Sequence, residues 1–342
     1  MTTERIRVAL AGLGHWGPNL AYSIVAAGGE ICSLCDQDAE RLGKFASRYQ
    51  DAHTSTKFES ILVDPSVDAV MIATPTSTHH SLAQAALNAG KHVLVEKPLA
   101  STSMQARELA ELADAKRRVL LVGHVYQYNA IIRALKSFID QGELGDLLYM
   151  SFTRTNLGPV RTDVNALWDL TTHDISIMTY LLNELPENVT TSGHCYLNSN
   201  VEDVVSAVFE FASGITAHTH ASWLNPRKVR SITVVGEKKM VEVDDLNLRE
   251  PIRIFDKRVE VPPPGTLVGS FVEFKTLVVD GGSTTPRVAT NRPLETECVH
   301  FLECIRSGRR PISDGKNGLE VVRILEAATR SLQNNSARVR IK

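Results

Sequence analysis

The chain has 342 residues, of which 43% are hydrophobic and 22% charged, and its formal net charge is −2. That length exceeds one ordinary core and suits two domains; the balance excludes a disordered or fibrous chain, and the small net charge speaks against a nucleic-acid partner. No apolar run approaches the roughly 20 residues that cross a bilayer, and the opening Met1-Thr2-Thr3-Glu4-Arg5 has no signal-peptide segment, so a cytoplasmic protein without membrane contact is expected.

Residues 1–124 alternate apolar strand-like runs with helical patterns. Strands are expected at 7–11, 31–36, 69–74, 92–96 and 119–124, and helices at 18–27, from 36 to 49, near 81–89 and near 103–115. Strands alternating with helices in this order predict an α/β domain with a doubly wound parallel sheet, of the dinucleotide-binding Rossmann kind, over 1–124. Cys32 and Cys35 have C-x-x-C spacing but lie in an apolar strand with no second pair. With five cysteines in the whole chain, buried thiols are expected rather than a disulfide framework or a metal site.

The remainder, 125–342, has a different rhythm. A helix is expected near 130–141, a strand at 147–154, and then a loop and a helix containing His173. Runs at 189–196, 204–211, 215–223, 229–235 and 240–243 carry β-branched and alternating residues, with Ser213-Gly214 and Gly236-Glu237 as hairpin turns. Pro262-Pro263-Pro264-Gly265 and Gly281-Gly282-Ser283 read as loops, and helices near 295–307 and 319–331 close the chain. Successive strands joined by short turns predict a mainly antiparallel sheet, hence an α+β domain.

Gly12-Leu13-Gly14-His15-Trp16-Gly17 is G-x-G-x-x-G between an expected strand and an expected helix, the context its mechanism requires. The first glycine permits the tight turn, the second admits a pyrophosphate and the third lets helix and strand pack closely. Unpaired N–H groups at the helix N-terminus complete an anion site. Asp36 ends the second strand, where a carboxylate accepts the ribose hydroxyls and repels an added 2′-phosphate, favouring NAD over NADP. Arg41 is near enough in sequence to reach such a phosphate.

Two clusters carry the candidate chemistry. Glu96-Lys97-Pro98 lies at the C-terminal end of the strand 92–96, the side on which open α/β sheets bind ligands; Pro98 is a candidate for a cis bond. Asp169 and His173 are four apart, so on an α-helix they share a face, and a carboxylate orienting an imidazole suits a general base. A zinc site is the rival reading of this pair, but no third ligand of suitable spacing is nearby and no metal is expected.

Taken together, Gly12–Gly17, Ala73-Thr74-Pro75 with His79, Glu96-Lys97-Pro98, Asp169 through His173, and the closing Phe301, Ile305, Gly308, Pro311 and Asp314-Gly315 resemble the Gfo/Idh/MocA oxidoreductase family over nearly the whole chain. The resemblance implies that Gly12, Gly14, His15, Trp16, Gly17, Asp36 and Arg41 serve the cofactor. It implies that Thr74, Pro75, Thr76 and His79 border its nicotinamide side, with Glu96 and Lys97 beside the reacting centre and His173 as the proton-transfer residue. It also implies an open-faced sheet in a substrate-binding and oligomerisation domain over 125–342, and a homodimer or homotetramer built through that sheet. The chain departs from the family pattern at Thr171, where glycine is usual, and at Ser176, where an aspartate is usual, while Asp174 directly follows His173. The segment 156–169 resembles the branch of the family that acts on sugar nucleotides, which makes Tyr126, Asn129, Arg154, Asn156, Arg161, Asn165 and Trp168 candidates for substrate contact. For Trp168 the alternative, filling core, is the favoured one. A sugar or sugar-nucleotide secondary alcohol is the expected substrate. A free sugar, an inositol or a small keto compound is the alternative, as is a non-catalytic NAD-binding regulator.

Overall fold

A computed structural model describes residues 5–197, 200–260 and 278–342. The chain forms two compact units, one holding it through Asn129 together with Asn291–Glu326, the other holding Ala130–Thr290 and Ala327–Lys342.

Six parallel strands build the first unit: β1 (Arg7–Ala11), β2 (Glu30–Cys35), β3 (His53–Ser55), β4 (Ala69–Ile72), β5 (His92–Val95) and β6 (Leu120–Val122). Their order is β3-β2-β1-β4-β5-β6. The central strands are apolar along their length because helices cover both faces; all four residues of β4 are buried. The helices are α1 (Gly17–Ala26), α2 (Ala39–Ala46), α3 (Glu59–Val63), α4 (Thr76–Asn88) and α5 (Ser103–Lys116). Strand order reverses between β1 and β4, which opens a ligand crevice outside their carboxyl ends. The short edge strand β3 and helix α3 escape the sequence reading because β3 is three residues with no apolar run. Helix α4 starts at Thr76 rather than near 81, capped by Pro75, so Thr76 and His79 lie in its first turns.

In the second unit, α6 (Ala130–Asp140) and α7 (Thr172–Leu182) accompany nine strands. These are β7 (Leu147–Leu157), β8 (Pro186–His194), β9 (Val204–Phe211), β10 (Thr216–Ser222), β11 (Leu224–Gly236), β12 (Met240–Asp244), β13 (Ile252–Val259), β14 (Val278–Thr284) and β15 (Val339–Arg340). Their order is β14-β13-β12-β11-β7-β10-β9-β8-β15, antiparallel except for β7 with β10. One face buries Met150, Phe152, Val205, Ala207, Phe209, Ala217 and Ala221, while Ser151, Thr153, Ser206 and His218 on the other are half-buried or exposed, the alternation of a sheet with one packed side. The turns at Ser213-Gly214 and Gly236-Glu237 occur as expected, with Phe211 N–H bonded to the Ile215 carbonyl and Gly236 N–H to that of Lys239, each at 3.0 Å. Gly281-Gly282-Ser283, expected as a loop, lies instead within β14, an edge strand where unpacked glycines are tolerated. Pro262-Pro263-Pro264-Gly265 and the first four residues lie outside the described residues.

The chain then returns to the first unit through α8 (Pro293–Ser307) and the start of α9 (Gly315–Gln333). Cys298, Phe301, Leu302 and Cys304 bury in the same core as Val8, Leu10, Leu20 and Leu94, which is why this stretch leaves the expected 125–342 segment. A Cβ on Gly318 would stand 2.7 Å from Val122, so glycine there permits the close approach of α9. Among the described residues, no helix is long and apolar enough to cross a membrane.

Candidate active site

At the end of β1, Gly12 adopts φ 92°, and a Cβ there would lie 2.6 Å from the Ala73 carbonyl oxygen. A Cβ on Gly17 would lie 2.2 Å from the Gly12 oxygen, whereas around Gly14 nothing lies within 4 Å. The outer glycines are therefore fixed by packing and the middle one leaves open space above the backbone, as an approaching pyrophosphate requires. Helix α1 begins there with no side-chain cap and no acid in its first turn, so no side chain of the helix start offsets the positive end of its dipole, which suits an anion. His15 and Trp16 are exposed.

Asp36 is buried at 9% exposure. One oxygen accepts the Leu13 N–H at 2.7 Å and the other the Asp38 N–H at 2.9 Å, so this carboxylate fastens the glycine turn to the end of β2. Arg41 approaches both oxygens at 3.3 Å and Asp38 also at 3.3 Å. Its guanidinium is thus held by two acids. Neighbouring Cys32 and Cys35 are free and buried, and burial pushes both thiols up to about 11, the state of inert structural cysteines.

The carboxyl ends of β4 and β5 carry the next group. The Thr78 hydroxyl donates to that of Thr74 at 2.7 Å. His79, 1% exposed, places Nδ1 2.8 Å from the Pro98 carbonyl oxygen and Nε2 2.9 Å from that of Thr74. The Lys97-Pro98 bond is cis. Glu96 accepts the Lys97 backbone N–H at 3.2 Å and a bond from Trp16. Burial nevertheless pushes its carboxyl up to about 7, with Lys97 beside it pulling the other way. Two residues absent from the sequence reading stand close by. Glu297 of α8 is fully buried, and burial, then Glu96, raises its carboxyl well above the usual range. His124 is buried, and burial, then Lys97, lowers its imidazole to about 3. Neither carries a motif, and only the fold brings it here. Of the substrate candidates in this unit, Tyr126 is half-buried and Asn129 buried, at the end of the 3-10 turn Val125–Tyr128.

The second unit organises its candidates differently. Leu167–Thr171 forms a π turn that precedes α7, so Asp169 and His173 do not share one continuous α-helical face. Such turns frequently mark functional sites. Asp169 accepts from Arg161 Nη1 on one oxygen and from Trp223 Nε1 on the other, both at 3.2 Å. Arg161 also forks onto Asp163, at 2.9 and 2.6 Å, and these bonds hold the Asp163 carboxyl below its ordinary range. Arg154 and Asp174 form a buried pair, with Nε at 3.0 Å and Nη2 at 2.9 Å from one carboxylate oxygen; burial raises the Asp174 carboxyl while Arg154 opposes it. Asn165 donates to Glu202 at 2.7 Å, Trp168 donates its indole N–H to Thr329 at 2.9 Å, and Asn156 donates to the Gly158 carbonyl. Trp223 and Glu202 are partners the sequence reading did not name, and Asp174, noted there only as the residue after His173, was not expected to pair with Arg154.

Two consecutive segments of the chain match two models of one family. Residues 6–124 match the Gfo/Idh/MocA oxidoreductase family, NAD-binding Rossmann fold, and residues 132–242 match the GFO/IDH/MocA C-terminal domain. The chain belongs to the Gfo/Idh/MocA family and is an NAD-binding oxidoreductase. It is similar to UDP-N-acetylglucosamine 3-dehydrogenase of Acidithiobacillus ferrooxidans, at 27% identity over 93% of this chain and 94% of that one. It is also similar to the scyllo-inositol 2-dehydrogenase (NAD(+)) of Bacillus subtilis, at 27% identity over 97% and 95%. Among solved structures, GenD2 from gentamicin A biosynthesis, in complex with NAD, shares the fold with a TM-score of 0.82 and 24% identity over 100% of this chain and 98% of that one.

Proposed function

We propose that the protein oxidises a secondary alcohol on a sugar ring, or reduces the corresponding ketone. NAD, when bound, supplies the hydride acceptor. Lys97 hydrogen-bonds the reacting oxygen and stabilises the negative charge that develops on it. His173 takes the hydroxyl proton, and Asp169, braced by Arg161 and Trp223, is the carboxylate that orients the imidazole. The observation that carries this reading is the glycine cradle, open only at Gly14, in a chain that also keeps Lys97 at a strand end and His173 beside a π turn.

A sugar nucleotide is the first substrate class to test, by likeness to the A. ferrooxidans relative. A polyol or free sugar is the second reading, favoured by the ion pairs that already engage Arg154 and Arg161, the two arginines suited to a phosphate. Turnover with NAD across sugar nucleotides, free sugars and inositols, followed at the reduced-nicotinamide absorbance, separates the two. His173→Ala is expected to retain NAD affinity and lose about 10²–10⁴-fold in kcat. Near-normal turnover in that variant would defeat the assignment.

A further inference from the structure

His79 faces a carbonyl oxygen at each ring nitrogen, Pro98 at 2.8 Å and Thr74 at 2.9 Å, while only 1% exposed. A neutral imidazole has one N–H donor and one lone-pair nitrogen. Whichever tautomer is drawn, one of these two contacts would set a lone pair against a carbonyl lone pair at hydrogen-bond distance. Only the imidazolium, with a proton on each nitrogen, satisfies both. We infer that His79 is held as an imidazolium and acts as a positioning residue, a cationic clamp joining the turn after β4 to the turn after β5.

The two carbonyls belong to adjacent parallel strands, both on the cofactor side of the sheet. Thr74 is followed by Pro75, the cap of α4, and Pro98 follows Lys97. One charged ring therefore sets the spacing between the backbone beneath the cofactor and the turn that presents Lys97. Both ring nitrogens are engaged with backbone, so His79 acts on the cofactor through these turns. This deepens the proposed site, since it rests on the reading that both turns border NAD.

Opposing influences define the test. Burial and a place in the first turns of α4, the positive end of its dipole, disfavour a cation; two aligned carbonyl acceptors favour one. Helix α4 packs against α5, β4 and β5. The titratable and charged groups on or beside these elements are Arg107, Glu108, Glu111, Asp114 and Lys116 of α5, His92 of β5, Glu96 and Lys97 after it, and His80 of α4 itself. Glu108 is bonded to His80, Asp114 to Arg310, and Glu96 to the Lys97 N–H.

The experiment is 15N NMR of the histidine side chains in the full chain, assigned through a His79→Asn variant, paired with NAD titrations. At pH 6.5, His79 is expected to show two protonated ring nitrogens. NAD is expected to bind at least about fivefold more weakly above the pH at which the second proton leaves than below it. If both protons persist to about pH 9.5, the variant alone carries the second part, and a folded His79→Asn protein must bind NAD at least about fivefold more weakly. A single protonated nitrogen at pH 6.5 overturns the clamp. So does NAD affinity that stays level across the loss of the proton, or that is unchanged in the folded variant. Failure of the cofactor-site reading itself is separable: it would show as normal NAD binding when Gly12 is replaced.

Discussion

The parallel-sheet unit and the nine-stranded unit hold their candidate residues by opposite means. In the first, the site is largely backbone: the Gly12–Gly17 turn, the uncapped start of α1, and the turns after β4 and β5, fastened by Asp36 and His79. In the second it is side chain upon side chain, with Arg161 and Trp223 on Asp169, Arg154 on Asp174, and Asn165 on Glu202. A backbone-built site fails by steric intrusion. A site built from partnered side chains fails by leaving a buried charge or dipole without its mate.

The largest effect is expected at Gly12. Alanine there would need φ 92° and would push its Cβ to 2.6 Å from a backbone oxygen that cannot swing away. Displacing this turn by about 1 Å is expected to weaken NAD binding on the order of 100-fold, measured by titration calorimetry, with secondary structure retained by circular dichroism. Unchanged affinity would mean that the turn does not shape the cofactor site. The matching intervention in the other unit is Trp223→Phe, which keeps the ring and deletes one N–H from Asp169. A hydrogen bond to a charged group is worth about 1.5–3 kcal/mol, so kcat is expected to fall about 10- to 100-fold while NAD affinity stays level. A loss in NAD affinity with kcat intact would contradict the division drawn between the units.

The same division explains what the sequence made legible. Strands buried on both faces announce themselves as apolar runs, and a site made of glycines has a spacing that can be read; β1, β2, β4, β5 and β6 and the cofactor turn were all visible in this way. The sheet-edge strands other than β6 were not. β3 is three polar-flanked residues, β15 is two, and β14 contains the glycines that read as a loop. The π turn at Leu167–Thr171 was invisible because nothing in its composition distinguishes it from the α-helix that follows. Glu297 and Trp223 were missed for a different reason, and so was the partner of Asp174, a residue seen in the sequence only as the neighbour of His173. Their significance comes from long-range partners: Glu297 lies 201 positions after Glu96, Trp223 lies 54 after Asp169, and Asp174 lies 20 after Arg154.

A pH-dependent stability measurement tests whether the first unit also contains a polar group that its fold does not satisfy. His124 is buried, both ring nitrogens lack hydrogen-bond partners among the described residues, and its imidazole is lowered to about 3 by burial and by Lys97. In the unfolded chain it takes up a proton below about 6.5, whereas in the folded chain it does not until about 3. The unfolded state therefore binds more protons throughout that window, and stability is lost as pH falls through it. His92, lowered to about 4 mainly by burial, acts in the same direction. Glu96, raised to about 7, acts in the other: between about 7 and 4.5 its folded form holds the extra proton, so stability rises as pH falls. Wild type alone would thus show a blurred sum. Replacing His124 by leucine isolates one contribution, because His92 and Glu96 remain in both proteins. Between pH 7 and pH 5, wild type should lose about 2 kcal/mol more than His124→Leu in urea unfolding. Equal pH dependence in the two proteins would show that His124 takes up its proton in the folded state and has a partner for it.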